Sequence, residues 1–206
     1  MRSVMKIVDL VRRTLADAAL VGNRRWASQG DIAFAARCSV AAVYQATRHL
    51  SEIGAIHKYG QGGLSVTDPE RVVTTLAASR TLRRDVLAST SLDGAQHLIS
   101  TCDAYALGGT DAALHHLGGP NTVADKGQRL IYVPPGTGLD ELPDGSDVLV
   151  LPLDAPAARD WKDGFSSPAQ TFADLFALPG WQATEFRRAL WRKLFAVDDW
   201  SNAEVG

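Results

Sequence analysis

The chain has 206 residues, 21 Lys+Arg against 23 Asp+Glu and 46% hydrophobic content. At about 100 to 200 residues per domain, that is one large domain or two small ones, and it excludes a disordered or fibrous chain. Two cysteines, Cys38 and Cys102, do not make a secreted disulfide scaffold, and no apolar run approaches the roughly 20 residues that span a bilayer. The opening stretch MRSVMKIVDLVRRTLADAAL has scattered cations and helical spacing, with no unbroken apolar core and no small-residue cleavage site, so we read the protein as cytoplasmic. The net charge of -2 hides an asymmetry, because residues 1–84 carry +7 and residues 85–206 carry -9. A half of +7 points towards a polyanion.

From Val4 to Leu20 the apolar residues recur at three and four, the helical period. Gly22 and Asn23 end that helix. A short second helix is capped by Ser28, with Asp31 in its first turn and Ile32, Ala33 and Ala36 as its apolar face, and it ends near Arg37 and Cys38. Ser39 caps a third helix whose inner face is Val43, Ala46, Leu50 and Ile53; its other side shows Ala41, Ala42, Gln45, Arg48 and His49, with Tyr44 at the flank. Gly54 supplies a helix stop. The stretch AIHKYGQGGLSVT then reads as a hairpin with a glycine-rich turn.

Helix, short helix, turn, helix with a cationic outer face and hairpin is the order of a winged helix-turn-helix. The stretch DIAFAARCSVAAVYQATRHLSEIGAI resembles the helix-turn-helix segment of many bacterial regulators. A helix in the major groove needs side chains of the kind found at Ala42, Tyr44, Gln45 and Arg48. Arg bonds two acceptors on guanine, Gln reads adenine, and small residues meet the thymine methyl. Ser39 and His49 border that face, and His57, Lys58, Tyr59 and Gln61 of the hairpin are placed on phosphate or in the minor groove. Arg24, Arg25 and Arg37 are further phosphate candidates, each equally readable as a surface arginine.

Asp68 and Pro69 open a fourth helix through Val72, Val73, Leu76 and Ala77. The composition turns acidic beyond Arg83 and Arg84, which sets a boundary between a domain of residues 1–82 and one of residues 83–206. In the second half a helix is predicted near Leu92 to Ser100, and Thr110 is read as the cap of a short helix through Leu117. Strands are predicted at Arg129 to Val133 and Asp147 to Pro152, with the turn-rich PPGTGLDELPDGS between them. Ser167 and Pro168 open another helix with Phe172, Leu175 and Phe176 inward, and a last helix runs from about Ala183 to Phe195. The fold class is α+β, an N-terminal winged helix-turn-helix followed by a mixed α/β domain.

The segments SSPAQTFADLFALPGWQATEFRRAL and AYALGGTDAALHHLGG resemble the C-terminal region of AbiEi-type antitoxins, the DNA-binding members of type IV toxin-antitoxin and abortive-infection systems. The positions that carry the resemblance are Ser167, Pro168, Gln170, Thr171, Asp174 and Leu175, and Tyr105, Gly108 or Gly109, Ala112 and Ala113. The resemblance implies an N-terminal winged helix-turn-helix, negative autoregulation on the protein's own double-stranded promoter DNA, and the countering of a nucleotidyltransferase-like toxin. Type IV antitoxins are defined by countering the toxin's effect, so direct contact with the toxin is not part of that implication.

No catalytic residue, cofactor or metal site is expected. His115 and His116 are adjacent on a helix and diverge by about 100 degrees, and no Cys pair or HExxH spacing accompanies them. Asp174, flanked by Phe172, Leu175 and Phe176, is read as serving a loop or a partner before it is read as catalytic. Trp181, Trp191 and Trp200 are core residues or an anchor for a partner or a dimer mate. The expected function is a DNA-binding antitoxin and autorepressor. The alternative is a repressor whose second half senses a ligand or dimerises.

Overall fold

The computed structural model describes residues 6–60, 62–118, 125–161 and 163–195. Helix α1, Ile7–Leu20, is buried on most of its circumference, by Leu10, Val11, Leu15, Ala16 and Ala19 and by the polar Asp9 and Arg13, and it packs on helices from both halves of the chain. Strand β1, Arg25–Trp26, follows, and then α2, Gln29–Ala35. Ser28 closes a reciprocal cap on α2: its Oγ accepts the Asp31 N–H at 3.1 Å and Asp31 Oδ2 accepts the Ser28 N–H at 3.0 Å. The pair is exposed, so Ser28→Ala removes the cap without opening a cavity. It is expected to cost about 1 kcal/mol, read from the midpoint of a urea titration.

Arg37 takes a left-handed φ of 48°, and this turns the chain into α3, Val40–Glu52, capped by Ser39 Oγ on the Ala42 N–H. Gly54, at φ 72°, ends the run as predicted, because a left-handed stop favours a residue without Cβ. Strands β2, Ile56–Lys58, and β3, Leu64–Val66, pair antiparallel and β1 adds to the far edge of β3, giving the order β1-β3-β2. Helix α4, Pro69–Ser79, starts at the predicted Asp68 cap, and α5, Leu82–Asp85, is one short turn.

The rest of the chain builds a second sheet, in the order β4-β7-β6-β5. Its strands are β4, Ala88–Thr90; β5, Ala106–Gly108; β6, Arg129–Val133; and β7, Val148–Pro152. β6 and β7 run parallel and the outer pairs are antiparallel. Helix α6, Leu92–Thr101, covers one face, where Ala95 and Leu98 meet Ile131, Val133, Val148 and Val150. The alternate residues Leu130, Tyr132 and Leu151 point to the other face, towards α7, Gly109–Leu117, and α9, Pro168–Ala177. Helix α8, Ala155–Asp160, and helix α10, Trp181–Phe195, complete the α+β fold.

Two expectations are corrected. Thr110 is not a cap: it lies inside α7, buried, and Gly108 holds the N-cap position. A Cβ at Gly108 would stand 2.8 Å from the Tyr132 ring and 3.3 Å from Asp174 Oδ2, so the chain passes there only as glycine. Phe176 is 44% exposed rather than inward, because it sits one step round α9 from buried Leu175, and Arg187 stacks over its ring at 4.9 Å.

One apolar cluster runs through both halves of the chain: Leu15, Leu50 and Leu76 belong to it, and so do Leu130, Leu175 and Leu190. α9 packs directly against α1 and α4. Among the described residues, no helix is long and apolar enough to cross a membrane.

Candidate nucleic-acid interface

The exposed side of α3 follows from its inner stripe. With Val43, Ala46 and Leu50 fully buried, the 100° step puts Tyr44, Gln45, Arg48 and His49 in solvent. The Arg48 side chain is 72% exposed, and its Nε donates to Glu52 Oε1 at 3.1 Å on the next turn. His49 Nδ1 lies 3.8 Å from the same carboxylate. An exposed i,i+4 pair of this kind is worth a few tenths of a kcal/mol, so Arg48 is released readily to a stronger acceptor. Ala42 departs from the expectation: it is buried, because the first turn of α3 packs on α2, and it offers nothing to a ligand.

The hairpin's side chains divide between two faces. Lys58 turns towards α3, with its Nζ 5.3 Å from the centre of the Tyr44 ring. His57 lies in one cross-strand row with Ser65 and Arg25 and is exposed; its ring meets Tyr59 edge-on at 5.0 Å. Lys58 therefore joins the α3 face, while His57, Tyr59 and Arg25 belong to the outer face of the small sheet. Arg37 and Ser39 are exposed in the turn before α3, and Arg24 is half-buried with its carbonyl accepting the Val66 N–H at 2.8 Å. Gln61 and Trp200 lie outside the described residues.

The residues that carry the antitoxin resemblance come together elsewhere, in the seam between the halves. Asp174 is fully buried and accepts three bonds: from Arg80 Nε at 2.9 Å, from Gln170 Nε2 at 2.9 Å and from the Tyr132 hydroxyl at 2.6 Å. Burial and the Asp174 charge hold the Tyr132 phenol well above its ordinary value, so it stays a donor. Arg80 also pairs with Asp85. Beside this cluster Arg13, 3% exposed, forks onto Asp154 at 2.7 and 2.8 Å and donates to Gln170 Oε1 at 3.3 Å. Burial works against the Arg13 charge, but the Asp154 carboxylate outweighs it.

Ser167 caps α9 on the Gln170 N–H, Pro168 occupies the first turn, and Thr171 bonds Ser166 through both hydroxyl and carbonyl. Ala112 and Ala113 are buried in α7, and Gly108 abuts Asp174. These side chains are committed to one another, so their arrangement supplies rigidity between the halves rather than an open reactive centre.

Asp111 is held by Arg129 at 2.5 Å and Lys126 at 3.1 Å. His115 stacks on Phe165, and His116 Nε2 donates to the Ser166 carbonyl at 2.7 Å, with burial lowering its pKa. Among the described residues no three His, Cys, Asp or Glu side chains form a metal-sized group.

Sequence reasoning missed Arg13, Arg80, Tyr132 and Asp154. The available signal was Asp154 two residues before Pro156, an acid-then-proline helix start related to that of Asp68 and Pro69. No family model, curated protein or solved structure matches the chain.

Proposed function

We propose that residues 1–82 are a winged helix-turn-helix that binds double-stranded DNA, with α3 in the major groove and the β2–β3 hairpin as the wing. The observation that carries this reading is the Lys58–Tyr44 contact, which joins a wing cation to the exposed face of α3. The β1-β3-β2 sheet and the +7 charge of residues 1–84 support it. Arg48 and Gln45 read base edges, and Lys58 holds phosphate. Tyr44, His49 and Ser39 line the contact, and Arg24, Arg25, Arg37, His57 and Tyr59 add phosphate contacts at its margins.

In this reading the chain is a binding protein and not an enzyme: an AbiEi-type antitoxin that represses its own operon and counters a nucleotidyltransferase-like toxin. The clustering of Gly108, Gln170 and Asp174, all from the resembling segments, supports the antitoxin assignment. Because Gln170 and Asp174 are buried, a toxin-facing surface does not include them. Co-expression with the product of the neighbouring gene tests that part, and persistent toxicity would refute it.

The DNA part is tested by fluorescence anisotropy on DNA from directly upstream of the gene and on scrambled DNA, across a salt series. Arg48→Ala is expected to weaken upstream binding by about 1–3 kcal/mol while leaving non-specific binding nearly unchanged. Lys58→Ala is expected to weaken both and to flatten the salt slope. Equal losses from the two variants would contradict the assigned roles, and no binding to either DNA at low salt would end the DNA reading.

A further inference from the structure

A cavity of about 520 Å³ opens in the seam between the halves, walled by α1 and β1 on one side and by α7, α8 and the start of α9 on the other. That volume is in the usual range for small-molecule sites, about 300 to 1,000 Å³. Its walls include Leu20, Trp26, Trp161 and Phe165, the last stacked on His115 at 4.1 Å with the rings 9° from parallel. Three carboxylates, Asp17, Asp160 and Asp163, and two guanidiniums, Arg13 and Arg159, also lie in the lining, and Arg159 is paired with Asp160. Asp17 is the carboxylate on the α1 wall. Its hydrogen-bond partners are the Ser167 hydroxyl and, at 3.1 Å, the Ala169 N–H, both neutral donors. The Arg13 guanidinium nearby is forked on Asp154.

We propose that this cavity binds a small arylalkylamine, with the ammonium group on Asp17 and the ring against the aromatic and aliphatic walls. With Arg13 forked on Asp154 and Arg159 paired with Asp160, the charges of the lining sum to a negative site that recognises a cation before an anion. A bare ammonium or metal ion would leave the flat walls unfilled, and an aryl body removes them from water. Burial raises Asp17 from 3.8 to about 6 in spite of the nearby Arg13 charge, so a ligand cation placed on it would offset a desolvated carboxylate. The site goes beyond the DNA reading and does not depend on it, since its walls exist in the free protein.

Calorimetric titration of the full chain without DNA tests the site, using phenethylamine as the probe, 3-phenylpropanoate as its charge-reversed match and ethylamine as the match without a ring. Phenethylamine is expected to bind saturably with one site per chain, at least about tenfold tighter than either match. Asp17→Asn, which keeps the acceptor for the Ala169 N–H, is expected to weaken it at least about tenfold. Ala18→Phe, which fills the cavity from α1 and leaves Asp17 in place, is expected to abolish binding. Circular dichroism checks that both variants are folded. Absence of saturable binding, equal affinity for 3-phenylpropanoate, or undiminished affinity in folded Asp17→Asn would overturn the proposal.

Discussion

Asp174→Ala is expected to destabilise the protein by about 3–5 kcal/mol, the range seen when one partner is removed from a buried ion pair. The carboxylate accepts from Arg80, Gln170 and Tyr132 at zero exposure, so its loss leaves one charged and two neutral donors without that acceptor. Arg80 keeps Asp85, which limits the loss. Gln170 Nε2 keeps the Tyr132 hydroxyl at 3.3 Å, so the cost is expected to come as much from the stranded Tyr132 O–H as from the ion pair itself. A double-mutant cycle with Arg80→Met separates the two contributions, and the double variant is expected to lose less than the sum of the single ones. Chemical denaturation of the four proteins gives the numbers. A loss under 1 kcal/mol for Asp174→Ala would mean that the cluster does not hold the halves together.

Asp17→Asn is expected to act in the opposite direction and to stabilise the protein at pH 7 by up to about 3 kcal/mol. Burial raises Asp17 from 3.8 to about 6, so the folded chain holds this proton more tightly than the unfolded chain does. The stabilisation from the protonated form is complete below about pH 3.8 and is lost as the pH rises through about 6. Asparagine resembles the protonated acid and has no charge to lose. The variant is thus expected to melt several degrees higher at pH 7, with the difference from the parent shrinking towards pH 4. Melting curves at pH 4, 5, 6 and 7 decide the matter. A lower melting temperature at pH 7, or a difference that does not change with pH, would show that Asp17 gives more through its charge than burial takes away.

Much of the N-terminal half was legible because its signals are local. Ser28 with Asp31, Ser39, Gly54 and Asp68 with Pro69 each act on backbone groups within a few residues, and each element begins or ends there. The outward side of α3 was equally legible from the period of Val43, Ala46 and Leu50, apart from Ala42, whose environment depends on how α2 crosses the first turn of α3.

The second half was harder to read for a physical reason. The apolar runs of β6 and β7 reveal two buried strands but not that they lie parallel, since direction is set by the path of residues 134–147 and not by side-chain pattern. β4 and β5 are three residues each, too short for alternation to register. The seam was legible only in the Asp154 and Pro156 helix start. Arg13 on α1 and Arg80 at the C-terminal end of α4 look ordinary until carboxylates from far along the chain are folded against them.

The fork of Arg13 on Asp154 spans 141 residues. A ribosome adding about 5 to 20 residues per second takes roughly 7 to 28 s to cover that interval. Throughout it, the first helix carries a guanidinium destined for burial whose counter-charge has not yet been synthesised. A nascent chain therefore closes α1 against its final neighbours only after the sheet and α8 have emerged. The order of synthesis ties completion of the helix that supports α3 to arrival of the acidic half, so that a prematurely terminated chain carries an unsealed α1.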